Sequence, residues 1–134
     1  IPALIHQCYL AKKENRPFIV KGSGKPLRQF IYSKDLAELM MWSLLEYNKW
    51  DNIILSVGEK DEISIKDVAI AISKAFKYED NIIFDTQYSD GQYKKTADNS
   101  LLVKYKGDFK FTEFNEGIQK SVEWFNNNYI NCRK

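Results

Sequence analysis

The stretch Arg28-Gln29-Phe30-Ile31-Tyr32-Ser33-Lys34-Asp35-Leu36-Ala37 changes character half-way along. Residues 29–32, with Phe30, Ile31 and Tyr32 aromatic or β-branched, read as a short strand. Ser33 then reads as the cap of a helix running to about residue 48. Asp35 falls in its first turn, where a negative charge suits the helix dipole. Leu36, Leu39, Met40 and Leu44 supply a helical stripe. Immediately upstream, residues 17–21 read as another strand, and Gly22-Ser23-Gly24-Lys25-Pro26 as the turn between the two. Strand, turn, strand and helix within about thirty residues set the class as α/β.

The rest of the chain continues this alternation. Residues 2–14 predict a helix: Pro2 suits a first turn, and Leu4, Ile5 and Cys8 share a face. Residues 52–57 predict a strand closed by Gly58. Ser64, with Asp67 three residues on, opens a helix whose stripe is Ile65, Val68, Ala69, Ile72 and Phe76. Residues 81–85 predict a strand, 86–96 an exposed polar loop, and 98–104 a short helix. Thr112 is the expected cap of a last helix with the face Phe114, Ile118, Val122, Phe125 and Tyr129. The strands are few and short for a self-contained doubly wound sheet. The expectation is one small α/β lobe over residues 1–134, with helices alternating with short strands, that needs a partner surface.

Bulk composition narrows the function. The 134 residues suffice for one core, with 44% hydrophobic and 14% aromatic side chains. A net charge of +2, from 20 basic and 18 acidic residues, argues against a dedicated nucleic-acid binder. Cys8 and Cys132 sit at opposite ends, and His6 is the lone histidine, so no zinc-ligand spacing exists and no metal is expected. Reduced thiols, the lack of a signal-peptide pattern and the lack of an apolar run of about 20 residues fit a cytoplasmic protein away from membranes. The opening Ile1-Pro2-Ala3-Leu4, without Met, reads as a fragment or processed piece.

Catalytic templates are missing. No glycine-rich dinucleotide fingerprint follows a strand. Gly22-Ser23-Gly24 reads as a plain turn rather than a phosphate loop. Tyr9 and Lys13 have the spacing of a catalytic Tyr-x-x-x-Lys pair but read as a surface pair on the opening helix. His6 reads as a partly exposed polar side chain and Cys8 as a small core residue. What remains is a cationic set: Arg28 after the turn, and Lys94 and Lys95 in the polar loop beside Asp90 and Gly91. Arginine's planar fork matches phosphate oxygens, and lysine adds a point charge. By pattern alone, each would be an ordinary solvated surface charge.

The segment Arg28–Ala37 resembles the Arg-acidic/Gln-aromatic-Ile-His/Tyr-x-x-Asp-x-Ala motif of extended short-chain dehydrogenases/reductases that act on nucleotide sugars. Leu55-Ser56-Val57-Gly58 resembles that family's Asn-Val-Gly strand, and Asp98-Asn99-Ser100-Leu101-Leu102 its Asp-x-x-x-Leu helix. Within the family, Ile1–Ile5, Gly22-Ser23-Gly24, Ile53–Glu59, Phe84-Asp85-Thr86 and Ser89–Ala97 resemble the GDP-L-fucose synthase branch. The resemblance covers nearly the whole chain and implies the C-terminal substrate-binding lobe of such an enzyme.

That branch epimerises GDP-4-keto-6-deoxy-D-mannose at C3 and C5, then reduces it with NADPH to GDP-L-fucose. The ketone acidifies the neighbouring C–H bonds, so an acid and a base can invert them before hydride reaches the carbonyl carbon. The resemblance places the Ser, Tyr, Lys and Cys of that chemistry in a preceding Rossmann domain and the catalytic His two positions before Ile1. The chain by itself is therefore expected to be inactive and to bind no cofactor, and the full-length enzyme to be a homodimer. Carried over by position, Arg28 corresponds to a diphosphate-binding arginine, Asp90 to a substrate-contacting aspartate, and Lys95 to a basic residue of the same loop. Gln7 stands where Lys or Arg is usual, and Lys21 where Trp is usual. UDP- or dTDP-sugar epimerases and dehydratases of the same superfamily, and a non-catalytic binding domain, are the competing readings.

Overall fold

Helix α3 (Ile65–Phe76) is the element about which the others gather. The Oγ of Ser64 caps it by accepting from the N–H of Asp67 at 3.0 Å. Lys77, in the left-handed region at φ 54°, ends it. Val68, Ala69, Ile72 and Phe76 are buried along one stripe. The computed structural model describes residues 1–132. Within it α1 (Pro2–Lys13) and α5 (Phe114–Asn128) both lie against α3. Lys12 of α1 donates its Nζ to the carbonyl of Phe76 at 2.6 Å, which satisfies a carbonyl at the end of α3 that has no partner within the helix.

Strand β1 (Phe18–Lys21) pairs in parallel with β4 (Ile82–Asp85), from Phe18 opposite Ile82 to Lys21 opposite Asp85. Phe18 and Val20 point into the core while Ile19 and Lys21 point out, the period-two alternation of a half-buried strand. A second, minimal pair joins β2 (Leu27–Arg28) to β3 (Ile63–Ser64) in antiparallel fashion. Helix α2 (Ser33–Leu45) and helix α4 (Ser100–Lys106) build a smaller cluster of Leu39, Trp42 and Leu102, covered by Ile53, Leu55, Phe109 and Phe111.

The structure corrects several local expectations. Residues 29–32 are not a strand, and the extended pairing stops at Arg28. Phe30 turns toward the main core and Ile31 toward the smaller cluster, so side-chain packing holds this segment where a ladder was expected. Ser33 does not cap α2: Tyr32 holds the cap position, and no side chain satisfies the helix start. The buried face of α2 is Asp35, Leu39 and Trp42, while Met40 and Leu44 (77% exposed) face outward. Thr112 does not cap α5, since the carboxylate of Glu113 accepts from the N–H of Glu116 there. Thr112 instead donates its N–H and its hydroxyl to buried Asp35, each at 2.7 Å. Residues 52–57 form no strand, because their backbone finds no ladder partner among the described residues. Their side chains still alternate, with Ile53 and Leu55 packed inward and Ile54 turned out.

Ile72→Ala should lower stability by about 2–5 kcal/mol in urea denaturation, the range for truncating a fully buried aliphatic side chain. Leu44→Ala should change the stability of the same chain by less than about 0.5 kcal/mol. Equal effects would show that the exposed face of α2 has been misassigned.

Candidate functional site

The turn after β1 depends on two glycines. Gly22 has φ +92°, and a Cβ there would stand 2.5 Å from Oδ1 of Asp90. Gly24 has φ +76°, and a Cβ there would meet the ring of Phe84 at 2.8 Å. Both conformations suit glycine and strain other residues. The turn closes on Asp90, whose two oxygens accept from the N–H and the hydroxyl of Ser23, each at 2.6 Å. Lys25 donates its N–H to the Ser23 hydroxyl. These internal bonds occupy N–H groups that a phosphate loop would aim at its ligand, in keeping with the plain-turn reading. The N–H groups of Ile65 and Lys66, at the start of α3, are likewise taken by the carbonyls of Pro26 and Gly24.

Arg28 is half-buried and its fork is oriented by carbonyls. Nη1 donates to Leu27 O at 2.6 Å and Tyr93 O at 3.4 Å, and Nη2 donates to Gln92 O at 2.8 Å. A guanidinium has five N–H donors. The Nε–H and the second Nη2–H meet no acceptor among the described residues. These unused N–H groups remain available to an anion such as a phosphate or carboxylate. Arg28 thus differs from an ordinary solvated charge, because it also fastens the loop that follows β4.

The loop's two lysines have different surroundings. Lys94 is ion-paired to Glu59 and, at 3.4 Å, to Glu62, whose side chain is 3% exposed. The bond to Glu59 holds its ammonium above the usual lysine pKa. Lys95 is exposed and makes no hydrogen bond or ion pair with the described residues. Lys21, at the end of β1, stands with its Nζ 4.5 Å from the ring centroid of Tyr88. The 21–28 and 85–95 segments therefore bring Lys21, Arg28 and Asp90 onto one loop cluster that also carries Lys95. Gln7 lies elsewhere. It lines an open groove of about 1110 Å³ between α1, the 30–34 segment and α5, beside Tyr32, Lys120 and Trp124.

Sequence reasoning missed Gln29. Its amide donates to Val57 O at 2.7 Å and Ala97 O at 3.1 Å, and accepts from Ala97 N–H at 2.7 Å. Nothing in a local pattern ties residue 29 to residues 57 and 97, which are brought together only by the fold. The weak catalytic candidates keep structural surroundings. Cys8 is buried, and desolvation pushes its thiol up to about 11. Tyr9 does not form the expected surface pair with Lys13: its ring lies 4.3 Å from Tyr129 and 5.5 Å from Phe125. His6 is half-buried against the same two rings. Among the described residues, no group of three His, Cys, Asp or Glu side chains is placed to hold a metal, and no helix is long and apolar enough to cross a membrane.

Comparison with known proteins gives this geometry a context. Residues 1–58 match the model of the NAD dependent epimerase/dehydratase family. A GDP-L-fucose synthase of Dictyostelium discoideum is 51% identical over 134 residues, covering 100% of this chain and 42% of the relative. A probable GDP-L-fucose synthase of Drosophila melanogaster is 45% identical, covering 100% of this chain and 44% of the relative. The crystal structure of a GDP-L-fucose synthetase from Naegleria fowleri superposes with a TM-score of 0.97 at 44% identity, over 99% of this chain and 40% of that one. The chain is similar, end to end, to the C-terminal part of GDP-L-fucose synthases. It spans about two-fifths of the length of these GDP-L-fucose synthases. The same Naegleria protein has also been solved bound to NADP.

The two bonds from Ser23, the hydroxyl foremost, hold Asp90 below the usual carboxylate range. A carboxylate depressed in the folded state stabilises the turn above its unfolded pKa, and that contribution is lost as pH falls through the depressed value. Carbon-detected NMR titration should find Asp90 titrating low, and Ser23→Ala should move it back up. An Asp90 that titrates normally before the substitution would refute the pairing.

Proposed function

We propose that this chain is the GDP-sugar-binding part of an enzyme that converts GDP-4-keto-6-deoxy-D-mannose to GDP-L-fucose. The observation that carries this reading is Arg28. Its fork is fixed by three carbonyls and keeps two N–H donors unused among the described residues, on the loop cluster that also bears Asp90 and Lys95, which has no ion-pair partner among the described residues. A half-fixed guanidinium with donors to spare suits diphosphate oxygens, and Lys95 adds the second positive charge that a diphosphate calls for. Asp90 supports the turn through Ser23, and it would shape the site while touching the sugar nucleotide only from its rim. Gln7, in the separate groove, would contact the part of the substrate that leaves the diphosphate.

The chemistry belongs to residues outside this chain. Cys8 is buried with its thiol pushed up, Tyr9 packs among aromatic rings, and His6 packs against the same rings at the groove that Gln7 lines, surroundings that support a catalytic set outside this chain. The turn's Ser23 and Lys25 N–H groups are spent on Asp90 and the Ser23 hydroxyl, which supports the reading that the dinucleotide is held elsewhere. In the full-length protein, NADPH on the cofactor-binding part would supply the hydride. This chain's own task is to hold the diphosphate and so fix the keto-sugar against that part. A cytoplasmic homodimer is the assembly that the resemblance implies.

The apolar surface supports a covalently linked partner domain. Met41, Leu44 and Leu45 on α2 are more than half exposed, as are Met40 and the fully exposed Trp50. Beside them the 52–57 segment keeps the alternation of a strand with no ladder of its own. Contiguous exposed apolar side chains and an unpaired strand edge are the marks of a surface meant to be covered. The relatives have more than half of their length outside the matched part. We assign their N-terminal, cofactor-binding portion as the cover.

Two measurements test the reading. The coding sequence upstream of Ile1 should encode a glycine-rich strand–helix fingerprint, a Tyr-x-x-x-Lys helix and a His two positions before Ile1. An immediate start codon would leave a binding module in place of an enzyme. In the full-length protein, Arg28→Ala should weaken GDP-sugar binding by about 1.5–3 kcal/mol by calorimetry, the scale of a charge-assisted hydrogen bond. GDP should compete more strongly than UDP or dTDP. An unchanged affinity would remove Arg28 from the diphosphate, and equal competition would favour another nucleotide-sugar enzyme.

A further inference from the structure

Lys94 and Lys95 are neighbours in sequence with opposite surroundings, and Glu62 stands behind the difference. The Glu62 side chain is 3% exposed; its carboxylate pairs with the Lys94 ammonium at 3.4 Å and accepts from the hydroxyl of Thr96. Both partners come from the loop after β4, one on either side of Lys95. Side chains alternate along extended backbone, so a group that holds residues 94 and 96 turns residue 95 the other way. Lys95 is accordingly exposed, with no hydrogen bond or ion pair among the described residues.

The register of the neighbouring strands identifies the two sides. Leu27 is bridged in parallel to Lys94 and paired in antiparallel fashion with Ser64, and Arg28 lies opposite Ile63. Paired residues share a face, and successive residues alternate between faces. Leu27, Ser64 and Lys94 therefore lie on one face, and counting on by two positions adds Glu62 and Thr96 to it. Arg28, Ile63 and Lys95 fall on the other. The ion pair between Lys94 and Glu62 agrees with this count. A strand of two residues and a single bridge fix a register weakly, and a slip by one residue would exchange Lys94 for Lys95.

We infer that Glu62 is a positioning residue: by holding Lys94 and Thr96 on its own face, it sets the register of the loop and delivers Lys95, in place of Lys94, to the side of Arg28. The two lysines are the same side chain, so nothing in their own chemistry decides which of them serves. The buried carboxylate decides it. Glu59 also pairs with Lys94, but its side chain is 67% exposed and water screens that pair. Glu62 touches no ligand in this scheme and acts through Lys95 alone. The inference rests on the nucleotide-sugar reading above, in which Lys95 is the second cation, and adds the residue that aims it.

The test is a double-mutant cycle in the full-length protein, read by GDP titration and steady-state kinetics. Lys95→Met should weaken GDP binding by about 10- to 150-fold, the fold-change of a charge-assisted hydrogen bond. Glu62→Ala should weaken it by about 5-fold or more, with KM for the GDP-sugar raised to match and kcat within about 2-fold of the unaltered protein. In the Lys95→Met background, Glu62→Ala should cause no further weakening, since no lysine is left at position 95 to aim. Glu62→Gln keeps an oxygen for the Thr96 hydroxyl and gives up the charge that holds Lys94, and it carries the same cycle if the alanine variant does not fold. A Glu62 effect of equal size in both backgrounds, or one that lowers kcat and thermal stability and leaves KM alone, would make Glu62 merely structural and overturn the inference. If Lys95→Met leaves GDP binding unchanged, the site reading loses its second cation, and the role of Glu62 goes with it.

Discussion

Three consecutive residues, Leu27, Arg28 and Gln29, hold together parts of the chain that are otherwise only loops. Leu27 donates its N–H to Tyr93 O at 2.8 Å, Arg28 grips the carbonyls of Gln92 and Tyr93, and Gln29 bridges Val57 and Ala97. Regular secondary structure is sparse here, since β2 is two residues long. The backbone polar groups of the 92–97 segment must still be satisfied, and side chains from one short stretch do much of that work. The candidate site owes its shape to this fastening, because Asp90 and Lys95 lie on the loop so held.

Arg28 illustrates how one side chain can serve both structure and ligand. A guanidinium has more donors than its three carbonyl acceptors use. The acceptors fix the plane of the fork, which lowers the entropy that a ligand must remove, and its unused N–H groups stay available. Lysine could not divide its hydrogen bonds in this planar way. Lys94 and Lys95 show the complementary arrangement, with the first tied to Glu59 and Glu62 to steady the loop and the second left exposed.

The lobe is well packed on one side and unfinished on the other. Around α3, Ile72, Val68, Phe18 and Val122 are almost fully buried, and Lys12 satisfies the last carbonyl of the helix. Around α2 the opposite holds: Leu39 and Trp42 are buried, but the next face carries exposed Met41, Leu44 and Leu45. This asymmetry explains why the helical stripe Leu36, Leu39, Met40 and Leu44 read from periodicity proved only partly right. The spacing identifies an apolar helix, and α2 has two apolar faces, of which the chain itself covers one.

Much of the fold was legible in local pattern. The Ser64–Asp67 cap, the stripe of α3, the glycine turn at 22–24 and the strands at 18–21 and 82–85 follow from residue chemistry over a few positions, which is the range at which capping, helical period and φ preference act. A phosphate partner for Arg28 came from the resemblance of its motif to a nucleotide-sugar family, since residue type alone reads there as a solvated surface charge. Only the tertiary structure decided which residues meet. It paired Asp35 with Thr112, Asp90 with Ser23, Lys94 with Glu59, Gln29 with Ala97 and Lys21 with Tyr88, across separations that no local rule spans. It also left residues 52–57 without the ladder that their composition suits, because a strand is a property of two neighbours and a sequence specifies only one of them.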